Sequence, residues 1–533
     1  MSSAAIPFLR RLAGWMNWPV QVAALILGVT VYVVLYLHLW RFVSYPIELE
    51  WREGAFWAHA LAQSYGTNIF KDEKIAYVLS SHGIFDHIVK GTLAALFRAW
   101  EPQYLLRIFV LVFPMVSFLA VFGHNRRNMP ATAALVAALC LSAAMLVAVH
   151  DIGYWVTCIG RTDSTAFTLI ATAYLCYSTN PSTRLARVLR HVSYLAMALV
   201  LSTNWKWYPV ALVIPALVEQ RQDTLRLREL VGIYLQIAGY TLGVCAFFIV
   251  AWFHGDAAMY YRYFFGFFGA KSPMPPYPAT FAIMVKYVRT PGIAFLVLLS
   301  VVPIFLEGGR LLFRRGHWPR ILAAIAICLS LLVSILALKM NFMGGGYWYL
   351  CPQVIVLMVF YNSRYRLGPG PAAVILAVSL GILARSDNRF LMRWYHDRLG
   401  ESLPAARLYA ETVVRLDREF GVYSDEAHFF KRSRDLPPVD MGDFAEAYAK
   451  TNFLGPRFTA IIDAQQARVA AHEPVLAFVG QVPSAAFKQL AANEEYCLLL
   501  QSPTPAIGGA VYVRLDHLED VQRFLAGPAK NPR

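Results

Sequence analysis

The chain has 533 residues, 58% of them hydrophobic and 15% charged, where soluble domains average roughly 25% charged residues. That balance excludes a single soluble globular body. The net charge of +15 is no nucleic-acid footprint either, because the Lys and Arg lie in short connectors between apolar runs. The cysteines include no CxxC metal or redox pair.

In chain order, apolar runs that fit membrane helices fall at 19–40, 104–122, 130–149, 164–179, 191–204, 207–220, 230–252, 291–308, 320–338, 347–361 and 371–384. A straight span needs about 20 such residues, and tilted or broken helices show shorter runs. The first run is too long for a signal-peptide core and lacks a small-residue cleavage site, so it reads as a retained helix. Connectors after every second span hold Arg10 and Arg11; Arg126 and Arg127; Arg184, Arg187 and Arg190; Arg221, Arg226 and Arg228; Arg310, Arg314, Arg315 and Arg320; and Arg364 and Arg366. The positive-inside rule makes these cytoplasmic. The connectors 41–103, 150–163, 205–206, 253–290 and 339–346 then face outward, as does the tail from 385. The predicted fold class is an α-helical polytopic membrane protein of about eleven spans over 1–384, with a C-terminal soluble α/β or α+β domain over 385–533.

Residues 83–99 are set apart. Ile84, Phe85, Ile88, Val89, Thr92, Leu93, Leu96 and Phe97 share one helical face, with Asp86, His87 and Lys90 opposite. This is the pattern of a helix lying in the membrane interface. Counting it as a span would turn every later Arg cluster outward.

Ionisable groups gather at the outward ends of the spans. That favours chemistry at the outer surface over passage through the bilayer centre, where charges mark transport paths. The first outer loop opens Tyr45-Pro46-Ile47-Glu48-Leu49-Glu50-Trp51-Arg52-Glu53-Gly54, followed by a helical stretch from Ala55 to Tyr65. Its carboxylates read either as a solvated helix start or as holding a general base under the interfacial helices. The second outer loop ends Gly160-Arg161-Thr162-Asp163, where Arg161 either pairs with Asp163 or grips a phosphate. Lys206, Arg262, Lys271, Lys286, Arg289 and Lys339 share that side. Each alone fits a snorkelling interface residue; together they fit an anionic, lipid-borne head group. Gly344-Gly345-Gly346 permits either a close backbone approach to a ligand or a turn.

This arrangement resembles the GT-C class of membrane glycosyltransferases, which use polyprenyl-phosphate sugars. It is most similar to the group that includes the protein O-mannosyltransferases and lipid A aminoarabinose transferases. The matching residues are Glu53-Gly54 at the start of the first loop, Arg161-Thr162-Asp163 before the fourth span, Gly344 to Tyr349 at a late span, and Gly421-Val422-Tyr423-Ser424-Asp425-Glu426 in the tail. Arg52 stands where the Asp-Glu version of the motif has its base, which leaves Glu53, then Glu50 or Glu48, for that role.

The resemblance implies catalytic roles for Glu53, Glu50 and Asp163, and lipid-phosphate or sugar binding by Arg161, Lys206, Arg262, Lys339, His82 and Tyr347. An acceptor hydroxyl would lose its proton to Glu53 while attacking the anomeric carbon with inversion. The leaving lipid phosphate needs cations rather than a general acid. No cofactor is required, although some members hold a divalent metal between the two acidic loops, where Glu53 and Asp163 would supply it. The implied partners are a polyprenyl-phosphate sugar, a glycan, lipid or protein acceptor, and membrane lipid, with no nucleic acid. The implied location is a bacterial inner membrane.

In the tail, strands are predicted at 458–463, 475–480, 496–500 and 510–515, and helices at 404–419 and 440–452. Asp463, His472 and His517 are scattered there and read as structural. Two rival classes are a transporter or flippase for an anionic lipid-linked glycan, which lacks the inverted repeat such proteins carry, and a non-catalytic assembly subunit.

Overall fold

The computed structural model describes residues 18–47, 49, 53–66, 84–127, 129–158, 160, 162–178, 183–219, 227–261, 295, 367–385, 388–424, 428–430, 456–480, 483–503 and 509–527. The expected spans 291–308, 320–338 and 347–361 and the expected helix 440–452 lie outside the described residues. Helix α1 (Trp18–Val43) leads to α2 (Glu53–Ser64) and α3 (Ile84–Leu96). Then come α4 (Pro102–Arg126), α5 (Ala131–Cys158), α6 (Thr162–Tyr177), α7 (Arg184–Thr203), a 3-10 turn (Trp205–Trp207), α8 (Tyr208–Glu219), α9 (Leu227–Phe253), the short α10 (Ala257–Tyr261) and α11 (Pro369–Arg385).

Among the described residues, five helices are long and apolar enough to cross a membrane: α1, α4, the Ala131–Ala148 part of α5, α7 and the Arg228–Phe253 part of α9. The shorter α6, α8 and α11 fall on three further expected spans. Helix α6 is buried on nearly every side. It is rich in Ala, Ser and Thr, small residues that let neighbouring backbones approach where no hydrophobic effect drives helices together. The outer helices behave oppositely. Val33, Leu37 and Trp40 of α1 and Leu235, Leu242 and Val250 of α9 stand exposed, as lipid-facing side chains do.

Two ends of the helical body can be followed through polar contacts. At one, Arg190 and Tyr177 both bond Glu219, at 2.9 and 2.8 Å, so the end of α6, the start of α7 and the end of α8 meet. At the other, the start of α6 meets the end of α7 and the 3-10 turn through Asp163, Asn204 and Trp207. This is the alternation of connectors expected from the placement of arginine.

Beyond α11, the long helix α12 (Asn388–Phe420) runs into β1 (Val422–Ser424), α13 (Pro456–Ala470), β2 (Leu476–Val479), α14 (Ala485–Ala491), β3 (Tyr496–Gln501), β4 (Ala510–Arg514), a 3-10 turn (Leu515–His517) and α15 (Leu518–Ala526). The sheet order is β1-β2-β4-β3. β1 and β2 are parallel, with Val422 opposite Leu476, and the remaining pairs are antiparallel. Leu416, Leu476, Val511, Val513 and Val521 are buried in one apolar layer, and Val469, Ala477, Phe487 and Leu490 in another. Helices therefore cover both faces of the sheet. The strand expected at 458–463 is instead the first half of α13. A short apolar run cannot by itself distinguish strand from helix, and here Pro456 at the first helical position and the Ala- and Gln-rich residues after it favour the helix.

Candidate functional site

The site is assembled where the segment between α1 and α4 folds back over the helical body. Helix α1 ends at Val43. Arg107, from the second turn of α4, reaches carbonyls at and just beyond that end. Its Nη1 donates to the carbonyls of Phe42 (2.8 Å) and Tyr45 (2.7 Å), and its Nη2 to that of Ile47 (2.9 Å). The remaining two N–H groups form a fork onto Glu53 at the start of α2, Nε to Oε1 at 2.7 Å and Nη2 to Oε2 at 2.5 Å. All five guanidinium donors are used, and both side chains are fully buried.

Glu53 is equally occupied. Besides the two bonds from Arg107, Oε1 accepts from the Gly160 amide and Oε2 from the Leu49 amide, each at 2.6 Å. Four donors fill the roughly four lone-pair sites of a carboxylate. In this arrangement Glu53, expected to act as a base and as one half of a metal site, has no lone pair left for a substrate proton or a cation. Among the described residues, no cluster of three or more His, Cys, Asp or Glu side chains could hold a metal ion.

The Gly160 peptide is clamped from its other side. Its carbonyl accepts from Lys90 Nζ at 2.7 Å, and the same ammonium pairs with Asp86 Oδ2 at 2.8 Å. Asp86 Oδ1 in turn accepts from the Thr165 hydroxyl of α6. Helix α3 therefore turns its polar face, Asp86, His87 and Lys90, into the protein, while Leu96 and Phe97 stay exposed. Close packing holds this cover. A Cβ on Gly91 of α3 would lie 2.6 Å from the Gln63 Cβ and 2.9 Å from the Ala60 carbonyl of α2. A Cβ on Gly160 would lie 2.8 Å from the Leu106 Cβ. Only glycine fits at either place.

Asp163 belongs to the same loop but faces elsewhere. Its Oδ1 accepts from Asn204 (3.0 Å) and Trp207 (2.8 Å). At about 100° per residue, Asp163 and Thr165 point to roughly opposite sides of α6. The helices α2 and α3 and the turn Trp205–Trp207 thus converge on residues 160–165, with Glu53 and Asp86 on one wall and Asp163 on the other. Of the remaining expected site residues, Glu50, His82, Arg161, Arg262, Lys339 and Tyr347 lie outside the described residues, as does the side chain of Lys206.

Arg107 is the site residue absent from the sequence reading, which places Asp86 and Lys90 on the polar face of an interfacial helix without giving them a role in the site. The signal for Arg107 was present, since an arginine inside an apolar span is costly and seldom idle. The tail also contributes. Phe429 packs among Phe56, Trp57, Leu105 and Leu106 and lies 5.4 Å from the Arg107 guanidinium. Its neighbours His428 and Phe430 pack at a tilt against Phe478 of the sheet, and Tyr45 bonds Ser402 at 2.9 Å.

Two histidines complete the cover. His59 and His87 are buried with ring centroids 4.6 Å apart. Burial holds both well below the usual histidine range, with the other ring adding to the effect at His59 and Lys90 at His87, which falls to about 3. The unfolded chain therefore takes up protons below about pH 6.5 that the folded chain refuses. Stability is full above that pH and falls as pH drops, by up to about 1.4 kcal/mol per pH unit for each ring that stays neutral in the folded chain. Thermal unfolding in detergent between pH 7 and 5 should show this loss, and His87→Phe should reduce it.

No protein-family model matches the chain, and no curated protein matches it. The fold of ArnT from Cupriavidus metallidurans bound to undecaprenyl phosphate does: TM-score 0.55 at 12% identity, over 91% of this chain and 97% of that one. The fold is GT-C-like. The apo form of the same ArnT aligns at TM-score 0.46 and 13% identity over 95% and 99% of the two chains. The Archaeoglobus fulgidus oligosaccharyltransferase in complex with Zn and sulfate aligns at TM-score 0.42 and 13% identity over 86% and 68%. The GT-C resemblance read from short motifs is thus borne out at the level of fold across the chain.

Proposed function

We propose that the protein is a GT-C glycosyltransferase that moves a sugar from a polyprenyl-phosphate donor to an acceptor hydroxyl at the outer face of the cytoplasmic membrane. The observation that carries this reading is the buried array Arg107–Glu53–Gly160–Lys90–Asp86, which ties the interfacial helices to the second outer loop. The fold it shares with an ArnT bound to undecaprenyl phosphate supports a lipid phosphate as the ligand.

In this reading Glu53 organises and does not react. With Arg107 it fixes the loop that leaves α1, and through the Gly160 amide it fixes the entry to α6. Lys90 is the cation for the lipid phosphate, with Arg161, Lys206, Arg262 and Lys339 as further cations and His82 and Tyr347 as contacts to the sugar. When the phosphate takes Lys90, Asp86 loses its ion pair and becomes the carboxylate that accepts the proton of the acceptor hydroxyl. Glu50 is the second candidate for that role. The hydroxyl oxygen bonds to the anomeric carbon, the bond from that carbon to the phosphate oxygen breaks, and inversion follows from direct displacement. Asp163 secures the far wall through Asn204 and Trp207. The tail lies on the same side as this site, as the contacts of Phe429 and Ser402 support, and in this topology that side is extracytoplasmic.

The test is transfer from undecaprenyl-phosphate-linked hexoses by the purified protein in lipid nanodiscs. Lys90→Met should weaken binding of undecaprenyl phosphate by about 10- to 100-fold, as expected when a hydrogen bond to a charged group is lost. Unchanged binding, or a wild-type protein that moves donor across a bilayer without consuming it, would refute the reading.

A further inference from the structure

His87 stands inside the charged array and takes no part in it. The ring is 1% exposed. It meets His59 edge-on and stacks on Phe56 at 6.1 Å, the same ring over which Lys90 Nζ lies at 5.7 Å. Neither Nδ1 nor Nε2 has a hydrogen-bond partner among the described residues. A buried polar ring with both nitrogens unmatched is destabilising, and Phe or Met would fill a similar volume without that cost. A ring kept at such a position, one helical turn from Lys90, is matched to something that arrives.

The chemistry of the visitor follows from the state of the ring. Burial and the Lys90 ammonium hold the imidazole neutral, so it offers one N–H donor and one bare nitrogen acceptor. A phosphodiester oxygen only accepts and would leave the bare nitrogen unmatched. A sugar hydroxyl both donates and accepts. Resting on the glycosyltransferase reading above, we infer that His87 is a donor-recognition residue that takes a hydroxyl of the sugar while Lys90 holds the phosphate to which that sugar is linked. No bond is made or broken at His87; it selects and positions.

The test compares wild type, His87→Phe, His87→Met and His87→Asn in nanodiscs, measuring KM for an undecaprenyl-phosphate-linked hexose that the wild type transfers, affinity for undecaprenyl phosphate alone, and thermal stability. The two apolar variants should raise the donor KM by about 10- to 100-fold, the penalty for leaving a substrate hydroxyl unmatched, while binding undecaprenyl phosphate as the wild type does. Either should also unfold at a temperature equal to or above that of the wild type, because an unmatched polar ring has been removed. His87→Asn keeps a donor and an acceptor and should stay within about tenfold of the wild-type KM. An unchanged KM in whichever apolar variant folds overturns the inference, and so does an equal loss of affinity for undecaprenyl phosphate alone. A wild-type protein with no transfer activity on any lipid-linked hexose refutes the underlying reading, and the role of His87 falls with it.

Discussion

Arg107→Met is expected to lower stability by about 3–5 kcal/mol, the usual penalty for removing one partner of a buried ion pair. The variant strands the Glu53 carboxylate in a fully buried position with two amide donors in place of four. It also leaves the carbonyls of Phe42, Tyr45 and Ile47 without the donor they now share. Glu53→Gln removes the charge but keeps an acceptor oxygen, so it should be milder alone, and combined with Arg107→Met it should add less than its separate effect. Thermal and denaturant unfolding in detergent would resolve the difference. A loss below about 1 kcal/mol for Arg107→Met, the value of an exposed pair, would mean that the fork does not hold the loop.

The second large effect is on turnover. Asp86→Asn keeps the shape of the side chain and its acceptor for Thr165 but cannot take a proton. If Asp86 is the base, turnover should fall by about 10²- to 10⁴-fold with donor binding retained. Glu53→Gln should behave differently, losing stability together with whatever activity depends on the loop. Read from the motif alone, Glu53 is the base, and its substitution abolishes turnover in an intact fold. The saturated coordination of Glu53 reverses that ordering, and a comparison of the two variants at matched folded fraction decides between them.

The difference between motif and structure has a physical origin. The helices at the expected spans among the described residues were legible because apolar length acts locally along the chain. The amphipathic character of α3 was legible too, but not its orientation. A helix between protein and lipid has a polar face and an apolar face, and only the partner residues settle which one is buried. Those partners come from far away: Glu53 meets Arg107 across 54 positions and Gly160 across 107. No local pattern carries such pairs. Asp163, expected at the end of the second loop, lies in the first turn of α6, and its partners Asn204 and Trp207, 41 and 44 positions on, turn it to the other wall. In Asn204-Trp205-Lys206-Trp207 the lysine drew attention, while the described contacts to the site come from the asparagine and Trp207. Arg107 could have been found by asking why an arginine sits inside an apolar span. His87 could not, because the lack of a partner exists only in three dimensions.

The central claim is that the array beneath α2 and α3 receives a lipid phosphate. A cryo-electron microscopy map of the protein in nanodiscs with undecaprenyl phosphate tests it most directly. Phosphate density is expected within about 3 Å of Lys90 Nζ, the reach of a charge-assisted hydrogen bond, with Asp86 released from its ion pair and the Arg107–Glu53 fork unchanged. Phosphate bound at the opposite end of the helices, near Arg190 and Glu219, or a phosphate held by Arg107 with the fork broken, would contradict it.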